Sequence, residues 1–543
     1  MMAAYLAAFV HWSVPRRVLA ENWRAHRIEA LAVAGLLSLA FVLRAWAVER
    51  IPYSLGGDEA TQGLGALEFL TGQRTNMFAI SNWYFYPNFG YFSLAASLAL
   101  FGRNVTGLRM LATIVGSASL LPTYLLARRW LGRQAALAAA LFLAGQHYHL
   151  HMSRLGSINI FDALFTPLLA YLLLEGLRQQ RPGWFAAAGL TMGVAQYYYN
   201  GAKLLPFLVA ALMVYLALAQ RDRLRASLAH FGVLALGAGL AFIPLGIYEQ
   251  AHPGSFAGRV AQVSIFHSGW LANEALITGK SATTLVGEAF LRAALAFNYF
   301  TDRSFWYHPT IPFLDSASAV LFVLGMALAA RYAWRNMGYA MLLAWFWLAV
   351  ILGGVLTTLP PASERLVVTT PALALLVVLA LTHLAGYGQR LWGRLASVWA
   401  ALLPVATLAL LAVNTAYYFV HYTPTHVYGN PTAEVMTRLL KDDLAQRQGN
   451  FRVCFFGAPH IYYESALPRF LAPDVEGMDV PIGWAETCSV EPAQTALFVF
   501  LPQRLDELED VRARYAQGMQ VPVYSSADGR LLYVLYEVAP MSD

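Results

Sequence analysis

Charge is the scarcest property of this chain. Of 543 residues only 13% are Asp, Glu, Lys or Arg, while 58% are hydrophobic; a soluble domain carries about 25% charged residues. That shortage excludes a disordered protein and a conventional cytosolic enzyme. Cysteine is nearly absent. Cys454 and Cys488 are the only two, too few for a disulfide scaffold and without the paired spacing that marks zinc. Lysine is rare beside arginine, 3 against 34, a bias that looks like genome composition rather than function. No period of 20–50 residues recurs, so a repeat architecture is not expected. No leader with a small-residue cleavage site is evident at the start. A multi-span membrane protein remains.

The charges that are present are sorted by region. Residues 1–419 hold 28 Lys+Arg and 15 Asp+Glu, a balance of +13, while residues 420–543 hold 9 and 16, a balance of −7. The cations of the first stretch lie between apolar runs, so a nucleic-acid partner is not expected. A crossing helix takes about 20 apolar residues, and short cytoplasmic loops collect Lys and Arg. Together these rules give eleven spans, at about 28–48, 107–127, 134–151, 162–177, 184–200, 203–220, 228–248, 316–333, 338–357, 366–385 and 396–419. The clusters around Arg16, Arg128, Arg178, Arg221, Arg331 and Arg390 then all fall on the inner side. The run Phe89–Phe101 is short for a crossing and reads as an interfacial or re-entrant helix. Counting it as a span would move every later cluster outside. The N-terminus is therefore expected inside and the C-terminus outside.

The tail regains ordinary polarity. A helical stretch at Thr432–Gln446, β-like runs at Phe451–Phe456, Thr495–Leu501 and Leu531–Val538, and a second helical stretch at Arg504–Ala516 predict a small α/β domain. Following an odd number of spans, it would lie in an oxidising compartment, where Cys454 and Cys488 are able to pair or to stay free.

With so few acids in the membrane part, each is a candidate for use, because carboxylates near a bilayer are costly unless solvated or functional. After span 1 comes Ser54-Leu-Gly-Gly-Asp58-Glu59-Ala, two glycines leading into adjacent carboxylates at a helix start. The plain alternative for Asp58 is a helix N-cap. Neighbouring helical residues point about 100° apart, so Asp58 and Glu59 are not expected to serve one atom equally. A second outer segment, His149-Leu-His151-Met-Ser153-Arg154, ends in Asn159-Ile-Phe-Asp162, again a carboxylate at a helix start. His147, His149 and His151 alternate, but i and i+2 face different ways on a helix, which argues against metal. Four outer-side cations, Arg109, Lys203, Arg259 and Arg365, are able either to hold an anion or to snorkel at the interface, and Arg109 is also able to pair with an outer-loop acid and hold the loop in place. The segment 249–316 adds Trp270, Glu274, Trp306, Tyr307 and His308, which suit sugar stacking and membrane interfaces alike.

Four motifs, Asp58-Glu59-Ala60 with Gly72, Phe101-Gly102 with Gly107-Leu-Arg109, Leu131-Gly132-Arg133, and Ser153-Arg154 with Asp162, resemble those of the GT-C glycosyltransferases that use polyprenyl-phosphate sugars. The likeness is to the protein O-mannosyltransferase and lipid A aminoarabinose transferase type, over about 1–390 and most of all 50–170. One departure is Tyr86-Pro87-Asn88, where relatives often show His-Pro-Pro. The Trp-Trp-Asp motif of oligosaccharyltransferase relatives is absent, which argues against asparagine-linked transfer.

The resemblance implies an all-α polytopic membrane domain of GT-C fold over 1–419, with juxtamembrane helices in its first outer loop, ahead of the extracytoplasmic α/β domain 420–543. It implies an inverting transferase moving one sugar from a polyprenyl-phosphate donor to a hydroxyl acceptor (a glycan, lipid or protein) at the outer face of the inner or plasma membrane. Asp58 would be the general base, Glu59 and Asp162 would support it, and Lys203, Arg259, Arg365 and Arg109 would hold the donor phosphate. No cofactor is required on this reading; a divalent ion such as Mg or Mn, held by Glu274 and His308, stays open. The rivals are a lipid-linked sugar flippase and a non-catalytic assembly subunit. A transporter usually shows Gly/Pro-interrupted helices at matching places in two halves and midplane charges, and neither is present.

Overall fold

The computed structural model describes residues 16–540 apart from 82, 83, 426, 427, 430, 484–486 and 489–493. Among the described residues nine helices are long and apolar enough to cross a membrane, from His26–Ala45 to Gly393–Tyr422. They fall on nine of the eleven expected spans, and the chain is a multi-pass membrane protein. The other two spans are shorter helices. Span 3 breaks at Gln146, whose backbone (φ −51, ψ 116) leaves the helical region, giving Arg133–Gly145 and His147–Met152. Span 5 is Pro182–Ala195, 14 residues, about 21 Å long against a hydrocarbon core of about 30 Å. The first-loop helix Asn88–Phe101 is also only 14 residues. Hydropathy registers the apolar run but not the backbone break inside it.

The chain divides into two compact units. One comprises the residues up to Trp46, Arg74–Ser93 and Met110–Tyr418; the other comprises Ala47–Gln73, Leu94–Arg109 and Phe419 onward. The first unit is helical. Its most enclosed span is Ser363–Leu391, with 89% of its apolar window buried, whereas Gly393–Tyr422 has only 17% buried. The exposed residues of the latter include Val405, Leu408 and Val413, an apolar surface that suits hydrocarbon and not water. Two fully buried arginines tie the end of the first helix. Arg154 donates to the carbonyls of Leu43 and Arg44, both at 2.8 Å, and of Trp46 at 2.7 Å, satisfying C-terminal carbonyls that have no helical partner. Arg44 donates to His149 Nδ1 at 2.8 Å and to the carbonyl of Ala144 at 3.0 Å. The Ser153-Arg154 motif and the buried His149 are thus accounted for by packing.

The second unit contains a five-stranded sheet of order β2-β1-β3-β5-β4, built from β1 (Phe451–Phe456), β2 (Glu476–Asp479), β3 (Thr495–Phe500), β4 (Met519–Tyr524) and β5 (Leu531–Val538). β1 runs parallel to both β2 and β3, and β5 antiparallel to β3 and β4. Three of these strands match the expected runs, and the expected helices appear at Pro431–Arg438 and Glu507–Arg514. Cys454, in β1, is bonded to Cys488 across a separation of 34 residues, and both are fully buried in the core with Phe456, Phe498 and Phe500. Removing a native disulfide from a small domain costs about 2–5 kcal/mol. Cys454→Ser with Cys488→Ser is therefore expected to lower the unfolding midpoint of the full chain. An unchanged midpoint in thermal melts with and without reductant would show that the pair contributes nothing.

Candidate active site

The first-loop motif starts a helix, Gly57–Leu70, whose N-cap is Gly56. Asp58 is therefore not the cap; it lies in the first turn, half-buried. Glu59 is fully buried and closes the turn, its Oε2 accepting the Gly56 N–H at 3.0 Å, as the third residue of a capping box does. Opposite it is Arg109, also at 0% exposure. Its Nε donates to Glu59 Oε1 at 3.0 Å, Nη2 to Glu59 Oε2 at 3.2 Å and to Ser54 O at 2.7 Å, and Nη1 to Val48 O at 3.0 Å and Pro52 O at 2.8 Å. All five N–H donors of the guanidinium are thereby occupied. Of the two roles expected for Arg109, phosphate contact or holding the outer loop through an acid, the structure shows the second: it holds the 48–59 loop through Glu59, and no donor is left for a ligand.

The same loop is gripped from the far end of the chain. Thr437 Oγ1 accepts the Leu55 N–H at 3.0 Å, Tyr53 OH donates to Asp442 Oδ2 at 2.7 Å, and Lys441 Nζ donates to Glu49 O at 3.0 Å. Gly56 lies so near Tyr428 that a Cβ would come within 2.8 Å of its hydroxyl.

The other three cations converge. Lys203, Arg259 and Arg365 line one cavity of about 340 Å³ whose remaining wall is largely apolar, including Leu204, Val260 and Leu352. Each arrives differently. Lys203 ends the 3₁₀ turn Asn200–Lys203, hydrogen-bonds the Asn200 side chain, and lies 4.4 Å from the centre of the Phe256 ring. Arg259, on the helix Ser255–Val263, lies over Tyr84 and Tyr86 at 5.6 and 5.7 Å, a cation–π geometry. Arg365 pairs with Glu364 at 3.2 Å and donates to Thr358 O at 2.7 Å. Three cations lining a largely apolar chamber are chemically suited to an amphiphile with an anionic head and a hydrocarbon tail. Tyr86, noted in the sequence as a departure, is here the aromatic that seats Arg259.

Asp162 lies in the first turn of Phe161–Gln179, at 2% exposure. Neither of its oxygens has a hydrogen-bond partner among the described residues. It abuts Gly201, where any Cβ would overlap Asp162 Oδ2, so glycine is what lets the Asn200–Lys203 turn pass the carboxylate. His147 Nδ1 is bonded to Tyr307 OH and His151 Nε2 to the Trp306 carbonyl. Among the described residues no group of three or more His, Cys, Asp and Glu is placed to hold a metal ion.

The loop before span 8 carries a titrating knot that the sequence did not disclose. Asp302 is buried and accepts backbone N–H bonds from Ser304 (3.0 Å), Ser363 (3.1 Å) and His308 (3.2 Å), while Ser304 Oγ donates to Glu364 (2.7 Å). Burial, and then the charge of Glu364, push the Asp302 carboxyl up from 3.8 to about 7. A raised folded-state value favours the protonated form in the folded chain. Its stabilisation is complete below the unfolded value and is lost as pH rises through about 7. Thermal stability is expected to fall across that window, and Asp302→Asn to flatten the fall; an equal slope in the variant would clear Asp302 of the effect.

Residues 86–248 match the sequence profile of the family described as dolichyl-phosphate-mannose-protein mannosyltransferase. Two curated relatives, both called undecaprenyl phosphate-alpha-4-amino-4-deoxy-L-arabinose arabinosyl transferase, align with this chain. That of Pseudomonas aeruginosa is 34% identical over 164 residues, 28% of this chain and 28% of the relative. That of Pseudomonas paraeruginosa is 35% identical over 134 residues, 23% and 24%. The aligned part thus spans about a quarter of the relatives' length. Among solved structures, ArnT from Cupriavidus metallidurans bound to undecaprenyl phosphate superposes with a TM-score of 0.56 at 17% identity, covering 96% of this chain and 99% of that one. The Archaeoglobus fulgidus oligosaccharyltransferase in complex with Zn and sulfate gives 0.51 at 15%, covering 89% and 69%. The chain has the fold of these membrane transferase structures, the GT-C class its motifs pointed to, and carries across 86–248 a sequence of the dolichyl-phosphate-mannose-protein mannosyltransferase kind.

Proposed function

We propose that this protein is an inverting glycosyltransferase that moves a single sugar from a polyprenyl-phosphate carrier to a hydroxyl acceptor at the outer face of the inner or plasma membrane. The observation that carries this reading is the meeting of Lys203, Arg259 and Arg365 in one otherwise apolar cavity. The names of the curated relatives, and the undecaprenyl phosphate in the ArnT structure, support it. A sugar phosphate ester has a good leaving group, so no strong general acid is called for. The acceptor oxygen attacks the anomeric carbon, the carbon–oxygen bond to phosphate breaks with its electron pair, and the three cations stabilise the charge left on the carrier phosphate. The acceptor proton passes to Asp58. Apolar walls suit the first isoprene units. Glu59 supports the base by fixing its turn. Asp162 borders the Lys203 turn and positions it. The reading calls for no cofactor.

The test is donor turnover by the purified chain, followed as release of undecaprenyl phosphate from its sugar ester. Hydrogen bonds to charged groups contribute about 1.5–3 kcal/mol, so Arg259→Ala or Arg365→Ala should raise the donor KM by roughly 10–100-fold. A chain that turns over donor with KM unmoved in both variants would have its carrier phosphate elsewhere.

A further inference from the structure

A second polar cavity, of about 260 Å³, lies at the other end of the helices that build the first. The helix Leu204–Ala219 shows this. Leu204 lines the Lys203 cavity, and Gln220, just past the helix end, lines the second. Sixteen residues separate them, about 24 Å. Met337–Ala349 repeats the relation in reverse, with Met337 at the second cavity and Ala349 at the first. The two cavities therefore open toward opposite membrane surfaces.

The second is lined by Arg129, Arg178, Arg223 and Arg335, with Glu175 as its one carboxylate. Glu175, 4% exposed, pairs with Arg129 and, at 2.9 Å, with Arg178, so these two arginines are fixed in place. Arg223 donates to Gln220 at 2.7 Å. Among the described residues neither Arg223 nor Arg335 has a carboxylate within ion-pair reach. Four guanidinium groups against one carboxylate leave the chamber strongly positive. Two helix starts, at Arg221 and Met337, add their partial positive charge. The Trp130 ring walls one side, flush with Gly338, where a Cβ would come within 2.5 Å of Nε1. Since one water takes about 30 Å³, the volume is about that of eight or nine waters, room for a phosphodiester head.

We propose that this cavity binds a phosphate group presented at the membrane surface opposite the Lys203 cavity, either the headgroup of an anionic phospholipid or a soluble phosphate ester. Basic pockets between transmembrane helices are the kind of place where such headgroups lodge. The proposal is independent of the sugar-transfer reading, since none of these residues belongs to that site.

The test uses the full chain in nanodiscs of phosphatidylcholine, with thermal unfolding and native mass spectrometry as readouts. Its arms are phosphatidylglycerol mixed into the disc, and inorganic phosphate added at matched ionic strength. A raised midpoint and retained phosphatidylglycerol, with no response to phosphate, establish a lipid headgroup; a response to inorganic phosphate in pure phosphatidylcholine establishes a soluble ligand. Arg223→Ala with Arg335→Ala should weaken the affinity behind either response roughly thirtyfold. If that double variant does not fold, Arg335→Gln alone serves as the comparison. No response in either arm, or one that the variants leave intact, would overturn the proposal.

Discussion

Replacing Asp58 with Asn is expected to lower sugar transfer by about 10²–10⁴-fold, the range a positioned general base contributes, while the chain keeps its fold. Asparagine has nearly the shape of aspartate but cannot take a proton at neutral pH. The structure gives the second half of this expectation its footing. The helix cap is Gly56, and the buried pair that closes the turn is Glu59 with Arg109, so the turn does not rest on a capping role for Asp58. The measurement is single-turnover transfer beside a melting curve. Transfer within a few-fold of wild type would remove Asp58 from the reaction, whereas a collapsed melting curve would assign it to architecture.

Arg109→Ala is expected to do the opposite: to damage the fold first. The substitution strands the Glu59 carboxylate at 0% exposure and leaves the carbonyls of Val48, Pro52 and Ser54 without the donor that reaches them. Breaking a buried ion pair by removing one partner costs about 3–5 kcal/mol. The variant should melt well below wild type and lose activity in proportion to unfolding. Arg259→Ala, by contrast, should spare the melting curve and act on donor KM. If Arg109→Ala melts normally and only donor KM rises, the guanidinium serves the ligand after all.

How much of this was legible in the sequence depended on how far apart the cooperating residues lie. Spans showed themselves through local hydropathy and arginine clusters; what hydropathy did not disclose was the backbone break at Gln146 and the short helix Pro182–Ala195. In the sheet, β1, β3 and β5 were legible because enclosed strands are apolar. The two edge strands were not: β2 is Glu-Gly-Met-Asp, and β4 carries Pro522, residues an edge tolerates and a central strand does not. In the site, the sequence left Arg109 two roles, a phosphate contact or the partner of an outer-loop acid. Its burial and its five acceptors, drawn from residues more than 49 positions away, exist only in three dimensions. The meeting of Lys203, Arg259 and Arg365 is of the same kind. Side-chain type picked out the cations, and only folding put them around one chamber.

The grip of Thr437, Asp442 and Lys441 on the 49–55 loop joins positions 382 to 392 residues apart. A ribosome emits the clasps 382 to 392 residues after the loop positions they hold. The loop's final form must therefore wait until that later stretch has been made. A product that stops before Thr437 has none of these three clasps and leaves the 49–55 loop unfastened.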